Sequence, residues 1–185
     1  MRAKMPPRRR PAKLVAGCLT LAAMAAPSVA IADDGGAELP IPPPVPVSGV
    51  VAKLSADGRT AVPPAAAPEV VKQAIYSANQ ITRKPYVYGG GHAGFRSRGY
   101  DCSGAVSYVL HGAGILDDPL DSSQFMRWGD RGKGAWITVY TNPGHAYAVI
   151  AGLRFDTSGP GERGPRWRTA ARSSGSFKTR HPEGF

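Results

Sequence analysis

A thiol, an imidazole and a carboxylate are the side chains that, held in line, can transfer an acyl group. The thiolate attacks, the imidazole carries the proton, and the carboxylate fixes the imidazole's tautomer and orientation. Cys102, His145 and Asp156 are the candidates for these parts. Cys102 lies in the stretch "GYDCSGAVSYVL", residues 99–110. Asp101 has the side chain of a helix N-cap, and Ala105, Val106, Val109 and Leu110 supply a buried face at helical spacing. Gly112 and Gly114 then read as stop signals. Cys102 is thus expected in a first helical turn, where the helix dipole and unpaired backbone N–H groups favour a thiolate. Taken alone it equally fits a small buried hydrophobe.

His145 and Asp156 come from a different pattern. "HAYAVI" and "LRFDT" have strand character and flank Ala151-Gly152, which predicts a hairpin. With those two as the turn, Ile150 pairs with Leu153 and His145 falls opposite Ser158. Asp156 becomes a diagonal neighbour of His145 on the same face. Tyr147 shares that face, while Ala146, Ala148 and Ile150 point into the core. Singly, His145 also fits a strand cap and Asp156 an exposed strand residue; their shared face makes them a pair. His92 reads as a turn residue in a glycine loop, His111 as a cation suited to a helix end, and His181 as part of the tail. No H-x-x-x-H, C-x-x-C or clustered carboxylate spacing for a metal occurs, and no cofactor is implied.

The elements that must position these residues follow from the rest of the chain. "PEVVKQAIYSANQI" opens the folded unit as a helix, with Val70, Val71, Ala74, Ile75 and Ala78 on one face. Pro85 ends that pattern, and "YVYGGGH" reads as a turn whose glycines allow close backbone packing; it lacks the spacing of a phosphate loop. Residues 117–134 read as a polar connection, "WITVY" as a strand and "NPG" as a turn. Helices followed by strands predict an α+β domain with segregated elements, its helices packed on an antiparallel sheet.

Charge and composition bound the setting. The chain of 185 residues has a formal net charge of +10, room for one domain with appendages. Six of the cations (Arg2, Lys4, Arg8, Arg9, Arg10, Lys13) precede the apolar run "LVAGCLTLAAMAAPSVAIA". That order predicts a secretory signal over residues 1–32, cleaved after Ala32, and no lasting membrane span. Cys18 sits near the start of the run, where a lipid-attachment cysteine does not belong. Cleavage would remove Cys18 and leave Cys102 without a disulfide partner. Residues 33–68, with eight of the 18 prolines, read as an extended spacer before a domain spanning 69–185. Acids and bases balance over residues 33–156. The excess lies beyond Asp156, in Arg163, Arg166, Arg168, Arg172, Lys178 and Arg180. A basic end suits an anionic envelope polymer, or simply a solvated edge. No nucleic-acid motif is present, and oligomeric state has no signature. Trp167 and Phe177 hint that part of this end packs on the domain.

"PYVYGGG", then "YDCSG" opening a helix, then "GHAYAVIAG" as a strand resemble, in that order, the NlpC/P60 family of cell-wall peptidases. The resemblance covers roughly residues 69–158 and implies a papain-like fold, secretion, and cleavage of peptidoglycan stem peptides between D-glutamate and a diamino acid. It implies that Cys102 is the nucleophile and His145 the base, with Asp156 near the position that orients it. Tyr86 would line the site and help bind the oxyanion. Ser103 would contact substrate, and Asp101 would meet the substrate's free amine. The same scaffold leaves open an amidase or acyltransferase, or a wall-binding protein without activity.

Overall fold

The computed structural model describes residues 50–159, 164–169 and 172–185. The signal-like segment and the first part of the spacer-like stretch lie outside the described residues. In chain order the elements are β1 (Lys53–Leu54), β2 (Ala61–Val62), α1 (Glu69–Ile81), α2 (Cys102–Gly112), α3 (Ser122–Phe125) and β3 (Asp130–Arg131). They continue with β4 (Ile137–Asn142), β5 (His145–Ile150), β6 (Leu153–Asp156), β7 (Arg166–Arg168) and β8 (Lys178–His181). The domain is α+β, as the pattern predicts, with α1 and α2 packed beside an antiparallel sheet ordered β3-β8-β4-β5-β6-β7.

Each helix buries most of the face its sequence marks, Val70 of α1 being only half-buried. Val71, Ala74, Ile75 and Ala78 of α1 are fully buried, and so are Val109 and Leu110 of α2. Gly112 has a different job from the expected stop signal. It is the last residue of α2, and a Cβ there would fall 2.1 Å from Ser77 Oγ, so its lack of a side chain lets α1 approach. The chain leaves α2 through Gly114 at φ 71°, with its N–H bonded to the His111 carbonyl.

The central hairpin has the predicted register. Ile150 pairs with Leu153, Val149 with Arg154 and Ala148 with Phe155. Ala151 at φ 45° and Gly152 at φ 75° both take the left-handed conformation that a two-residue turn needs to match strand twist. Ala146, Ala148 and Ile150 join the core, as alternation requires.

Three regions differ from expectation. Residues 117–134 hold α3 and β3; Asp121 accepts from the Gln124 N–H while the Gln124 side chain accepts from the Asp121 N–H, a capping box that supports a single turn. Val50–Ala67, inside the stretch read as a spacer, forms the β1–β2 hairpin. There the buried residues are Ala52, Ala61 and Ala67, too small to register as an apolar pattern. Asn79 of α1 clasps this hairpin through the backbone N–H (2.8 Å) and C=O (2.9 Å) of Ala61. Finally, the basic C-terminal region supplies two strands. β7 brings Trp167 onto Phe155, with its Nε1–H donating to Asn79 Oδ1 at 2.7 Å, and β8 inserts between β3 and β4.

Candidate active site

The first turn of α2 is aimed by its cap and by a glycine loop. Asp101 Oδ1 accepts the Gly104 N–H at 2.8 Å, and Oδ2 accepts the Gly89 N–H at 3.0 Å. One carboxylate therefore starts the helix and ties it to the loop at 86–92. The contact is tight, since a Cβ on Gly104 would sit 2.0 Å from the Gly90 carbonyl oxygen. Close backbone packing accounts for Gly90 and Gly91, whereas a Cβ on Gly89 would meet open space and that residue is set by its φ of 73°. Cys102, in the first position of α2, carries a free, half-buried thiol.

The hairpin brings His145 to this thiol. Its Nε2–H donates to Asp156 Oδ1 at 2.9 Å, which leaves Nδ1 for the hydrogen bond with Cys102. The side chain of Asp156 is fully buried and that of His145 is 17% exposed, so the pair works in a low dielectric. Burial pushes the Cys102 thiol up, but the hydrogen bonds from His145 and the Ala146 backbone N–H prevail and hold it below its ordinary value. Burial likewise opposes a charge on His145; Asp156 and the thiolate outweigh it and lift the imidazole to about 9. Both shifts favour a thiolate–imidazolium pair over a neutral thiol and imidazole.

Behind His145, Asp156 is itself held. Its Oδ1 also accepts the Ser158 N–H at 2.9 Å and the Ser158 hydroxyl at 3.1 Å. Oδ2 faces Arg172 Nη1 at 3.1 Å and Arg154 Nε at 3.7 Å. Arg172 also donates to Ser158 Oγ and lies over the rings of Tyr147 and Phe177, at 5.5 and 5.3 Å. Desolvation opposes ionisation of Asp156, yet these partners keep its carboxyl below the usual carboxylate range. The expected diagonal approach of Asp156 to His145 occurs, and Ser158 Oγ lies 3.4 Å from Nε2, as its place across from His145 requires.

Two depressions flank the thiol. A cleft of about 500 Å³ runs past Cys102 between the glycine loop and α3, and includes Tyr86, His92, Asp101 and Ser103. A second, of about 380 Å³, lies on the His145 side with Tyr86, Thr157 and Ser158. Tyr86 borders both. His92 Nε2 is 2.9 Å from Asp101 Oδ1, and Ser103 Oγ is 3.3 Å from His92 Nε2. His92 thus joins the polar wall beside the thiol instead of only turning a loop. Its place nine residues before Asp101 offers no signal of this contact. Arg154 and Arg172 also escape sequence reasoning; both read as general basic charge. His111 stacks on Phe95 at 3.7 Å and His181 lies in β8, both outside this cleft.

Fold and site together define an α+β domain with a free thiol at a helix start and a carboxylate-bound imidazole on the neighbouring hairpin. No protein-family model matches the chain, and no curated protein matches it. Among solved structures, the peptidoglycan hydrolase RipB from Mycobacterium tuberculosis is similar over 64% of this chain and 68% of its own, at 24% identity and a TM-score of 0.47. The P60 domain of an antigen from M. avium subspecies paratuberculosis is similar over 60% of this chain and 94% of its own, at 18% identity and a TM-score of 0.42. Among the described residues, no helix is long and apolar enough to cross a membrane.

Proposed function

We propose that the protein is a cysteine peptidase that cleaves stem-peptide amide bonds in peptidoglycan. The observation that carries this reading is the line Cys102–His145–Asp156, with the thiol at the start of α2. The peptidoglycan assignment is supported by the NlpC/P60-like order of "PYVYGGG", "YDCSG" and "GHAYAVIAG", and by the signal-like start of the chain. The cleft wall of Asp101, His92 and Ser103 suits a substrate amine next to the reacting bond.

In the first step the Cys102 thiolate attacks the amide carbonyl carbon. Negative charge moves to the carbonyl oxygen, where the Cys102 backbone N–H and the Tyr86 hydroxyl would meet it. His145, protonated in the resting pair, gives its proton to the leaving amine as the C–N bond breaks. A water then loses a proton to His145, attacks the thioester and frees the acid, restoring the thiolate. Asp156 holds Nε2–H throughout, so Nδ1 always faces the reacting atoms. The bond between D-glutamate and the diamino acid is the one this reading assigns.

Digestion of purified peptidoglycan fragments, with mass spectrometry of the new ends, tests the proposal. A new D-glutamyl carboxyl end that disappears with Cys102→Ser supports it. A product joined to an added amine would instead make the protein an acyltransferase. Binding to sacculi without any new ends would leave only a wall-binding role.

A further inference from the structure

The strands also build a pocket on the face of the sheet turned away from α1 and α2. Tyr140 of β4 pairs with Tyr147 of β5, and Val149 of β5, Arg154 of β6 and Arg168 of β7 stand in register across three strands. These side chains, with Lys133 and Arg172, line a half-open depression of about 340 Å³. Its wall holds four cations and no acidic side chain among the described residues. Asp156 lies beyond Arg154 and Arg172 and does not border the depression. The rest of the polar wall is hydroxyl: Thr169, Ser174 and the stacked phenols of Tyr140 and Tyr147, 4.7 Å apart.

We infer that this pocket binds a phosphate group. Every charged group on its wall is a hydrogen-bond donor without acceptor capacity, and the hydroxyls can donate as well. An acceptor-only ligand fits such a wall, and one with oxygens directed to several sides fits better than a planar carboxylate. Burial holds the Arg168 guanidinium below its ordinary value; Asp156 opposes this, and the charges of Arg166 and Arg154 add to it. Burial keeps the Tyr147 phenol protonated, lifting it to about 12, so it remains a donor. Arg154 adds a side chain only 9% exposed, whose Nε has Asp156 at 3.7 Å but no hydrogen bond. An anion would offset the repulsion among these cations. The phosphate could be free in solution or part of a phosphodiester polymer of the envelope. Nothing in this inference depends on the peptidase reading.

Calorimetric titration of the full chain tests it, with inorganic phosphate as one probe and glycerol phosphate oligomers as the other. Ionic strength is held constant with chloride. The variants are Lys133→Glu, at an exposed position, and the double variant Lys133→Gln/Arg168→Gln, each checked for folding by circular dichroism. Saturable binding that weakens by about tenfold or more in the double variant, and measurably in the single one, is the expected result. Tighter binding of the oligomers would identify a polymer as the source. Equal or tighter binding of inorganic phosphate would identify the free ion. No saturable heat with either probe overturns the inference, as does an affinity unchanged in both folded variants.

Discussion

Arg172 Nη1 lies 3.1 Å from Asp156 Oδ2, on the carboxylate oxygen that His145 does not use. Asp156 therefore shares its charge between an imidazolium and a guanidinium. Removing the guanidinium takes a positive charge away from His145 and leaves Asp156 more available to it, and both changes favour the protonated imidazole. Arg172→Met should thus move the alkaline limb of kcat/KM upward from about 9, by on the order of one pH unit. A purely structural loosening would weaken the His145–Asp156 bond and move the limb down. The direction of the shift, read from a pH–rate profile, separates the two.

The thiolate–imidazolium pair has its own signature in alkylation. Burial alone would make Cys102 a sluggish thiol, and only the bonds from His145 and Ala146 reverse that. The iodoacetamide rate should rise with a midpoint below the ordinary thiol value of about 8.5. His145→Ala removes the stronger support while burial remains, so the midpoint should move to 8.5 or above. An unchanged midpoint in His145→Ala would falsify the pairing.

Much of this arrangement is legible in the chain because it is local. The hairpin that carries His145 and Asp156 follows from strand-forming residues and a two-residue turn, and the register reaches Ala148–Phe155 as expected. The cap at Asp101 and the first-turn place of Cys102 follow from helix chemistry. What sequence reasoning misses is non-local or small. Nothing in "SGSFKTRH" says that β8 lies between β3 and β4, because that pairing spans some forty to fifty residues of chain. Arg172 comes from a stretch with no periodicity, and its contact with Asp156 is made by the tertiary fold. The β1–β2 hairpin buries alanines, whose apolar signal is too weak to separate from a Pro/Ala-rich spacer.

The aim of Cys102 depends on a contact that has no room for a methyl group. A Cβ on Gly104 would press 2.0 Å from the Gly90 carbonyl oxygen, which is backbone and cannot swing aside. Gly104→Ala should therefore push α2 from the glycine loop and cost about 1–3 kcal/mol, as overpacking does. Urea unfolding measures the loss. Activity per folded molecule should fall as well, since the same displacement moves Cys102 relative to His145.

Asp101 has two roles that one substitution can separate. Its Oδ1 caps α2 by accepting from Gly104, and the same oxygen faces His92 in the cleft beside the thiol. An amide oxygen caps a helix about as well as a carboxylate oxygen, but it carries no charge for a substrate amine. Asp101→Asn keeps the cap but gives up the Oδ2 acceptor of the Gly89 N–H, and should lower the melting temperature less than Asp101→Ala does. It should raise KM for a stem peptide with a free amine and have little effect on the N-acetylated peptide. Asp101→Ala removes the cap too and should lose about 1 kcal/mol of stability. Equal losses on both peptides with Asp101→Asn would confine Asp101 to capping, and the cleft wall would then need another explanation for its buried charge.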